Sequence, residues 1–159
     1  ETVFRISLTE SGSLTPSGGD EVRYLFSSNR TAAPQPVERI ASGGELSRVM
    51  LAIKVLLAKR MQLPTILFDE IDTGVSGRIA DAMGQIISSL SESMQVVDIT
   101  HLPQVASKGR SHFVVYKEQG RTRLRRLSAE ERTQEIAKML SGAEVTAAAL
   151  EQAQILLKG

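Results

Sequence analysis

The stretch Thr65-Ile66-Leu67-Phe68-Asp69-Glu70-Ile71-Asp72-Thr73-Gly74-Val75-Ser76-Gly77 governs the reading of the whole chain. Residues 65–68 form a short apolar run of the buried-strand kind, and the run ends in two carboxylates. A loop over 72–77 then leads into a helix expected from Gly77 to Leu90. Gln95-Val96-Val97-Asp98-Ile99 reads as another strand. Two short apolar strands joined by a helix of this length form a βαβ unit, so the strands should be parallel neighbours with a right-handed crossover. Open sheets of this kind place ligands at the carboxyl ends of their strands. Asp69 and Glu70 arrive there from one strand, and His101, in Ile99-Thr100-His101-Leu102-Pro103, from the other.

Upstream, Ala41-Ser42-Gly43-Gly44-Glu45-Leu46-Ser47-Arg48 opens a helical run from Glu45 to about Met61. Its apolar positions Leu46, Val49, Met50, Ile53, Leu56 and Leu57 recur every three or four residues and are expected to pack in a core. Pro64 stops any continuation. Residues 3–8 and 21–27 alternate as half-buried strands, antiparallel to one another across the turn-rich segment 11–19, and residues 28–38 read as an irregular loop. Downstream, residues 112–117 and 122–127 flank Glu118-Gln119-Gly120 as a hairpin. Residues 130–140 and 144–158 read as two terminal helices, the second covering a core with Leu150, Ile155, Leu156 and Leu157.

With 159 residues, 42% hydrophobic and 23% charged, the chain has the make-up of one folded domain. The absence of cysteine excludes a disulfide scaffold, a thiolate metal site and a thiol nucleophile, and it fits a reducing compartment. Nineteen Lys and Arg stand against 18 Asp and Glu, and a net charge of +1 excludes a strongly basic, whole-surface nucleic-acid binder while leaving room for a local patch. Nothing approaches the roughly 20 apolar residues that span a bilayer. No sustained heptad pattern is present, and nothing reads GxxxxGK[ST], the loop that cradles nucleotide phosphates.

Each candidate motif has two readings. Ser42-Gly43-Gly44-Glu45 at a helix start lets an anion approach backbone amides and the positive end of the dipole; it is equally a Ser cap followed by flexible glycines. Asp69 can hold magnesium while Glu70 takes a proton from an attacking water; the pair is also what a solvated strand end carries. His101 can contact a phosphate or merely cap a strand end. Arg121-Thr122-Arg123-Leu124-Arg125-Arg126 can meet DNA phosphates or form the solvated face of a hairpin strand.

Taken together and in this order, the motifs resemble those of ABC-type ATPases. Ser42-Gly43-Gly44-Glu45 is similar to their signature motif, and Thr65 to Glu70 to their Walker B strand with its catalytic glutamate. Asp72 resembles the start of the D-loop, and His101 the switch histidine. The wording of residues 40–48, 68–77 and 99–106 resembles the RecN family of SMC-like proteins (relatives of the structural-maintenance-of-chromosomes ATPases). The likeness extends to residues 24–29, Tyr116-Lys117 and residues 140–146, so it covers nearly the whole chain.

The resemblance implies an α/β fold: the C-terminal lobe of an ABC/SMC-type P-loop ATPase head, with a parallel βαβ core, flanking helices and antiparallel strands. Residues 1–159 would be that single lobe, with the N-terminal lobe, its phosphate loop and the coiled coil supplied from elsewhere. ATP and Mg²⁺ are the implied cofactors. Ser42, Gly43, Gly44 and Glu45 would contact ATP held by a second head, and Asp69 would orient magnesium. Glu70 would position and deprotonate the water, Asp72 would cross the head–head interface, and His101 would sense the γ-phosphate. The implied partners are the N-terminal lobe of the same head, a second identical head, and DNA, with no membrane; the implied setting is the bacterial cytoplasm, at the nucleoid. The lobe alone is expected to lack ATPase activity. Two other readings remain: a non-catalytic dimerisation module, and a piece of a transporter-type ATPase.

Overall fold

The computed structural model describes residues 2–39, 43–142 and 144–158. Ser42, with Ile40 and Ala41, therefore lies outside the described residues, as does Ala143. In chain order the elements are β1 (Val3–Thr15), β2 (Gly18–Ser27), β3 (Gln35–Pro36), α1 (Gly43–Met61), β4 (Thr65–Asp69), α2 (Gly77–Leu90) and β5 (Gln95–Ile99). They continue as α3 (Pro103–Ala106), β6 (Phe113–Glu118), β7 (Arg121–Arg126), α4 (Ala129–Ser141) and α5 (Ala147–Lys158).

β4 and β5 pair in parallel from Thr65 opposite Gln95 to Asp69 opposite Ile99, as the sequence requires. One face of this pair is covered. Phe68 is fully buried and packs in a cluster with Leu51 of α1, Ala80, Met83, Ile87 and Leu90 of α2, and Val105 of α3. The opposite face is bare: Leu67, Val97 and Ile99 are 57, 41 and 49% exposed. A parallel strand normally has both faces covered.

α1 shows the same asymmetry. Of the expected core positions only Val49 is buried, while Leu46, Met50, Leu56 and Leu57 are exposed. The buried positions are Gly44, Val49, Leu51 and Ala58. The helix is apolar on two sides, and this chain covers only one of them. Its C-terminus is closed by Gln62 in the left-handed region (φ 50°) and by the Leu63 N–H donating to the Ala58 carbonyl at 3.2 Å, a six-to-one bond that ends the helix ahead of Pro64.

The antiparallel pairs carry their own departures from expectation. β1 runs on to Thr15, into the turn-rich segment, with a register shift between Glu10 and Thr15 where Gly12 is left-handed (φ 68°). The turn-forming pair is then only Pro16-Ser17. β3 occupies part of the expected loop, pairing Gln35 with Phe26 and Pro36 with Leu25; an edge position tolerates the proline. The second hairpin turns on Gln119 (φ 49°) and Gly120 (φ 75°), both left-handed, as a two-residue hairpin loop demands.

α4 starts at a reciprocal capping box between Ser128 and Glu131. α5 begins at Ala147 rather than residue 144, because the Thr146 hydroxyl accepts the Ala149 N–H at 3.1 Å. Leu150, Leu156 and Leu157 pack on a second cluster of Ile136, Ala137, Ala149 and Ala153, but Ile155 is exposed rather than core. Among the described residues no helix is long and apolar enough to cross a membrane.

Candidate functional site

Three loops meet at the carboxyl edge of the parallel pair: the start of α1, the turn after β4 and the segment after β5. Period-two alternation places Ile66 and Phe68 on the covered face and Leu67 and Asp69 on the bare one. Asp69 thus leaves the strand exposed, on the face lined by Leu67, Val97 and Ile99. If the alternation continued, Glu70 would point inward beside Phe68. Instead its backbone turns left-handed (φ 47°), and the side chain is exposed. A residue with a Cβ loses roughly 1–2 kcal/mol in that conformation. The surroundings hold it there: the Glu70 N–H donates to the Ile99 carbonyl at 3.0 Å, and the Glu70 carbonyl accepts from the Thr73 hydroxyl at 2.8 Å and the Thr73 N–H at 3.2 Å. Among the described residues neither the Asp69 nor the Glu70 carboxylate is ion-paired, so both remain free to take a cation or a water.

Asp72 takes a different place from the one expected. It is 1% exposed, and its carboxylate accepts a hydrogen bond from the Thr100 hydroxyl. The group points into the lobe rather than outward across an interface. Among the described residues its other oxygen is buried with no hydrogen-bond partner, as is one oxygen of Asp98 on β5. Burial, followed by repulsion from Asp72, pushes the Asp98 carboxyl up to about 6. His101 lies directly after Thr100 and is exposed, at the same edge as Asp69 and Glu70.

The start of α1 docks on the turn after β4 by backbone contact. A Cβ on Gly44 would lie 2.5 Å from the Gly74 carbonyl oxygen, and one on Gly74 (φ 78°) would lie 3.0 Å from the Gly44 nitrogen. Only glycine permits that approach from either side. The Ser47 hydroxyl adds a hydrogen bond to the Thr73 carbonyl at 2.9 Å. Gly43 is exposed and Glu45 half-buried at the tip. The structure thus brings Gly43, Gly44, Glu45, Asp69, Glu70 and His101 to one end of the lobe and turns Asp72 inward.

Thr100, Asp98, Ser47 and Thr73 were not singled out from the sequence. Asp98 had a signal: an acid at an inward-facing position of an apolar strand. Thr100 had a weaker one, since its hydroxyl accepts the Leu102 N–H two residues on, a turn that threonine commonly makes. Two of the four arginines of the Arg121–Arg126 segment are ion-paired and a third is hydrogen-bonded. Arg123 pairs with Glu118 at 3.4 Å, Arg125 pairs with Glu131, and Arg126 donates to the Ser111 hydroxyl.

No family model matches the chain. Its sequence is 42% identical over 153 residues to the DNA repair protein RecN of Haemophilus influenzae and 46% identical over 149 residues to that of Bacillus subtilis, covering 94 and 91% of the chain. The chain belongs to the RecN family. It spans 27 and 26% of the length of those two curated relatives. Solved structures extend the likeness to fold. An SMC ATPase studied for its ATP-driven dimerization and DNA-stimulated activation superposes with a TM-score of 0.67 at 21% identity, over 90% of this chain and 84% of that one. An Smc head domain with a coiled coil and joint from Pyrococcus yayanosii gives 0.68 at 21% identity, over 88% of this chain and 26% of that one. The RecN-family chain therefore has the fold of an SMC head lobe.

Proposed function

We propose that this RecN-family chain is the C-terminal lobe of an ATPase head that acts in DNA double-strand break repair, in the bacterial cytoplasm. Gly43 and Gly44, with Ser42 and Glu45, meet the γ-phosphate of ATP held by a second head. Asp69 orients magnesium, Glu70 positions and deprotonates the water, and His101 contacts the γ-phosphate. The observation that carries this reading is the convergence of two unpaired carboxylates, an exposed histidine and a glycine-bounded helix start on one edge of a parallel strand pair. The donor set fits the group it would hold: Asp69 is a free, exposed carboxylate, and magnesium prefers one or two such ligands together with water and phosphate oxygens. The bound ion would supply charge neutralisation at the phosphates. Positioning by this chain's own residues supplies the rest.

The bare faces fit the same reading. Leu67, Val97 and Ile99 on the sheet, Phe4, Ile6, Leu8, Val22 and Tyr24 on the first hairpin, and Leu56 and Leu57 on α1 are apolar side chains left exposed, the kind of surface that marks an interaction site. The N-terminal lobe of the same head, bearing the phosphate loop that these 159 residues lack, is the proposed cover for the sheet face.

The test is Glu70→Gln in the full-length protein. Turnover should fall by about 10²–10⁴-fold, the range for loss of a general base, while ATP-dependent dimers accumulate on a sizing column. Absence of any nucleotide-dependent dimer would refute the role given to Glu70. The 159-residue chain by itself should show no turnover; ATP hydrolysis by it that is lost on Glu70→Gln would refute the half-site reading.

A further inference from the structure

We propose that Asp72 and Thr100 are positioning residues, whose buried hydrogen bond locks the segment carrying His101 to the turn carrying Glu70. The inference rests on the ATPase reading above and extends it to two side chains that touch no nucleotide in it. The Thr100 hydroxyl does two things: it donates to the Asp72 carboxylate and accepts the Leu102 N–H at 2.9 Å. His101 is therefore spanned by a single hydroxyl that is itself tied to the neighbouring turn. On the other side of Thr100, the Ile99 carbonyl accepts the Glu70 N–H at 3.0 Å. The two functional side chains hang from backbone held at consecutive residues on one strand end and at both sides of Glu70 on the other.

The turn is anchored in its own right. Ile71 and Val75 belong to the buried cluster, and the Val75 N–H donates to the Asp72 carbonyl at 3.2 Å. Asp72 sits between them at 1% exposure, where an unpaired carboxylate is costly. Deleting the Thr100 hydroxyl leaves that carboxylate without its hydrogen-bond donor and frees the Leu102 amide in the same stroke. The expected consequence is displacement of His101 relative to Glu70, not loss of nucleotide binding, because neither Asp72 nor Thr100 faces outward. Small misplacements of catalytic groups are expensive in rate, up to about 10²-fold for an ångström.

The experiment uses the full-length protein with ATP. Thr100→Val, which keeps the side-chain shape and removes the hydroxyl, should lower kcat by about tenfold or more with KM for ATP within twofold, and Thr100→Ser should restore most of kcat. Unchanged kcat in Thr100→Val overturns the proposal, as does a loss in kcat that Thr100→Ser does not rescue. Should Thr100→Val fail to fold, amide exchange in the unmodified protein decides: a protected Leu102 amide supports the lock, and a freely exchanging one overturns it. Glu70→Gln is run in parallel. If it abolishes turnover while Thr100→Val does not alter kcat, the lock alone fails; if it leaves turnover intact, the ATPase reading itself fails.

Discussion

The two faces of the β4–β5 pair are built from the same kind of residue and meet opposite fates. Phe68 on one face is fully buried among α1, α2 and α3; Leu67, its neighbour in sequence, stands more than half exposed on the other. The difference teaches that the hydrophobic pattern of a strand states what must eventually be covered, not what a given stretch of chain covers. The motif-bearing loops sit at the carboxyl edge between the two faces, with Asp69 on the bare side and Asp72 turned into the covered one. They are hydrogen-bonded to one another, Ser47 to Thr73, Thr100 to Asp72 and Glu70 to Ile99. The unfinished face, together with the outer side of α1 and the first hairpin, is left exposed by this chain.

This contrast can be broken most severely at its core. Phe68→Ala should destabilise the chain by about 3–5 kcal/mol, the range for emptying a buried aromatic site, read from a denaturant midpoint. Leu67→Ala sharpens the same comparison. In the 159-residue chain it should cost no more than about 0.5 kcal/mol, as a surface change does, whereas in the full-length protein it should rise to about 2–5 kcal/mol. Equal small costs in both contexts would mean that nothing covers this face.

Next in size is the junction of the glycine pair. Gly44→Ala drives a methyl into the Gly74 carbonyl and should cost about 1–3 kcal/mol while loosening the start of α1, measured by thermal unfolding and by exchange of the α1 amides.

A smaller effect concerns Asp98. Its carboxyl titrates near 6 when folded against a reference of 3.8, so the folded state holds the extra proton between those values. The sign follows: below about pH 4 both states are protonated and no penalty exists; the penalty builds as pH rises from about 4 to 6 and is constant above, where both states are ionised. Because the carboxyl is partly open to solvent, the full-shift figure is reduced to about 1–2 kcal/mol at neutral pH and above. Asp98→Asn should therefore stabilise at pH 8 and be neutral at pH 4. A benefit that is largest in acid would reverse the assignment.

The smallest change is expected at the arginine hairpin. Since Arg123 and Arg125 already face Glu118 and Glu131, replacing both with Ala should leave the salt dependence of DNA binding by the full-length protein unaltered.

The parallel pair, α2 and the second hairpin were legible in the sequence because each rests on local signals: an apolar run of strand length, a 3.6 period, a Gln-Gly turn. The family was legible because its motifs are short and ordered. α3 was not, since Pro103-Gln104-Val105-Ala106 is too short to show a period; it forms because Gly84 of α2 lets its backbone come close, a Cβ there standing 3.2 Å from the Gln104 carbonyl. The stripe on α1 was legible as apolar but not as exposed, because exposure depends on what lies outside the chain. The inward turn of Asp72 was hidden for a related reason: its partner, Thr100, is distant in sequence, and no period connects the two.

The left-handed backbone at Glu70 sets evolution and engineering at odds. A campaign that selected this lobe only for heat resistance would favour Gly or Asn at position 70, since both relax the backbone by about 1 kcal/mol or less at no cost to packing. The same substitution would remove the proposed base. If Glu70 is the base proposed above, heat tolerance and turnover should therefore part company at this one residue.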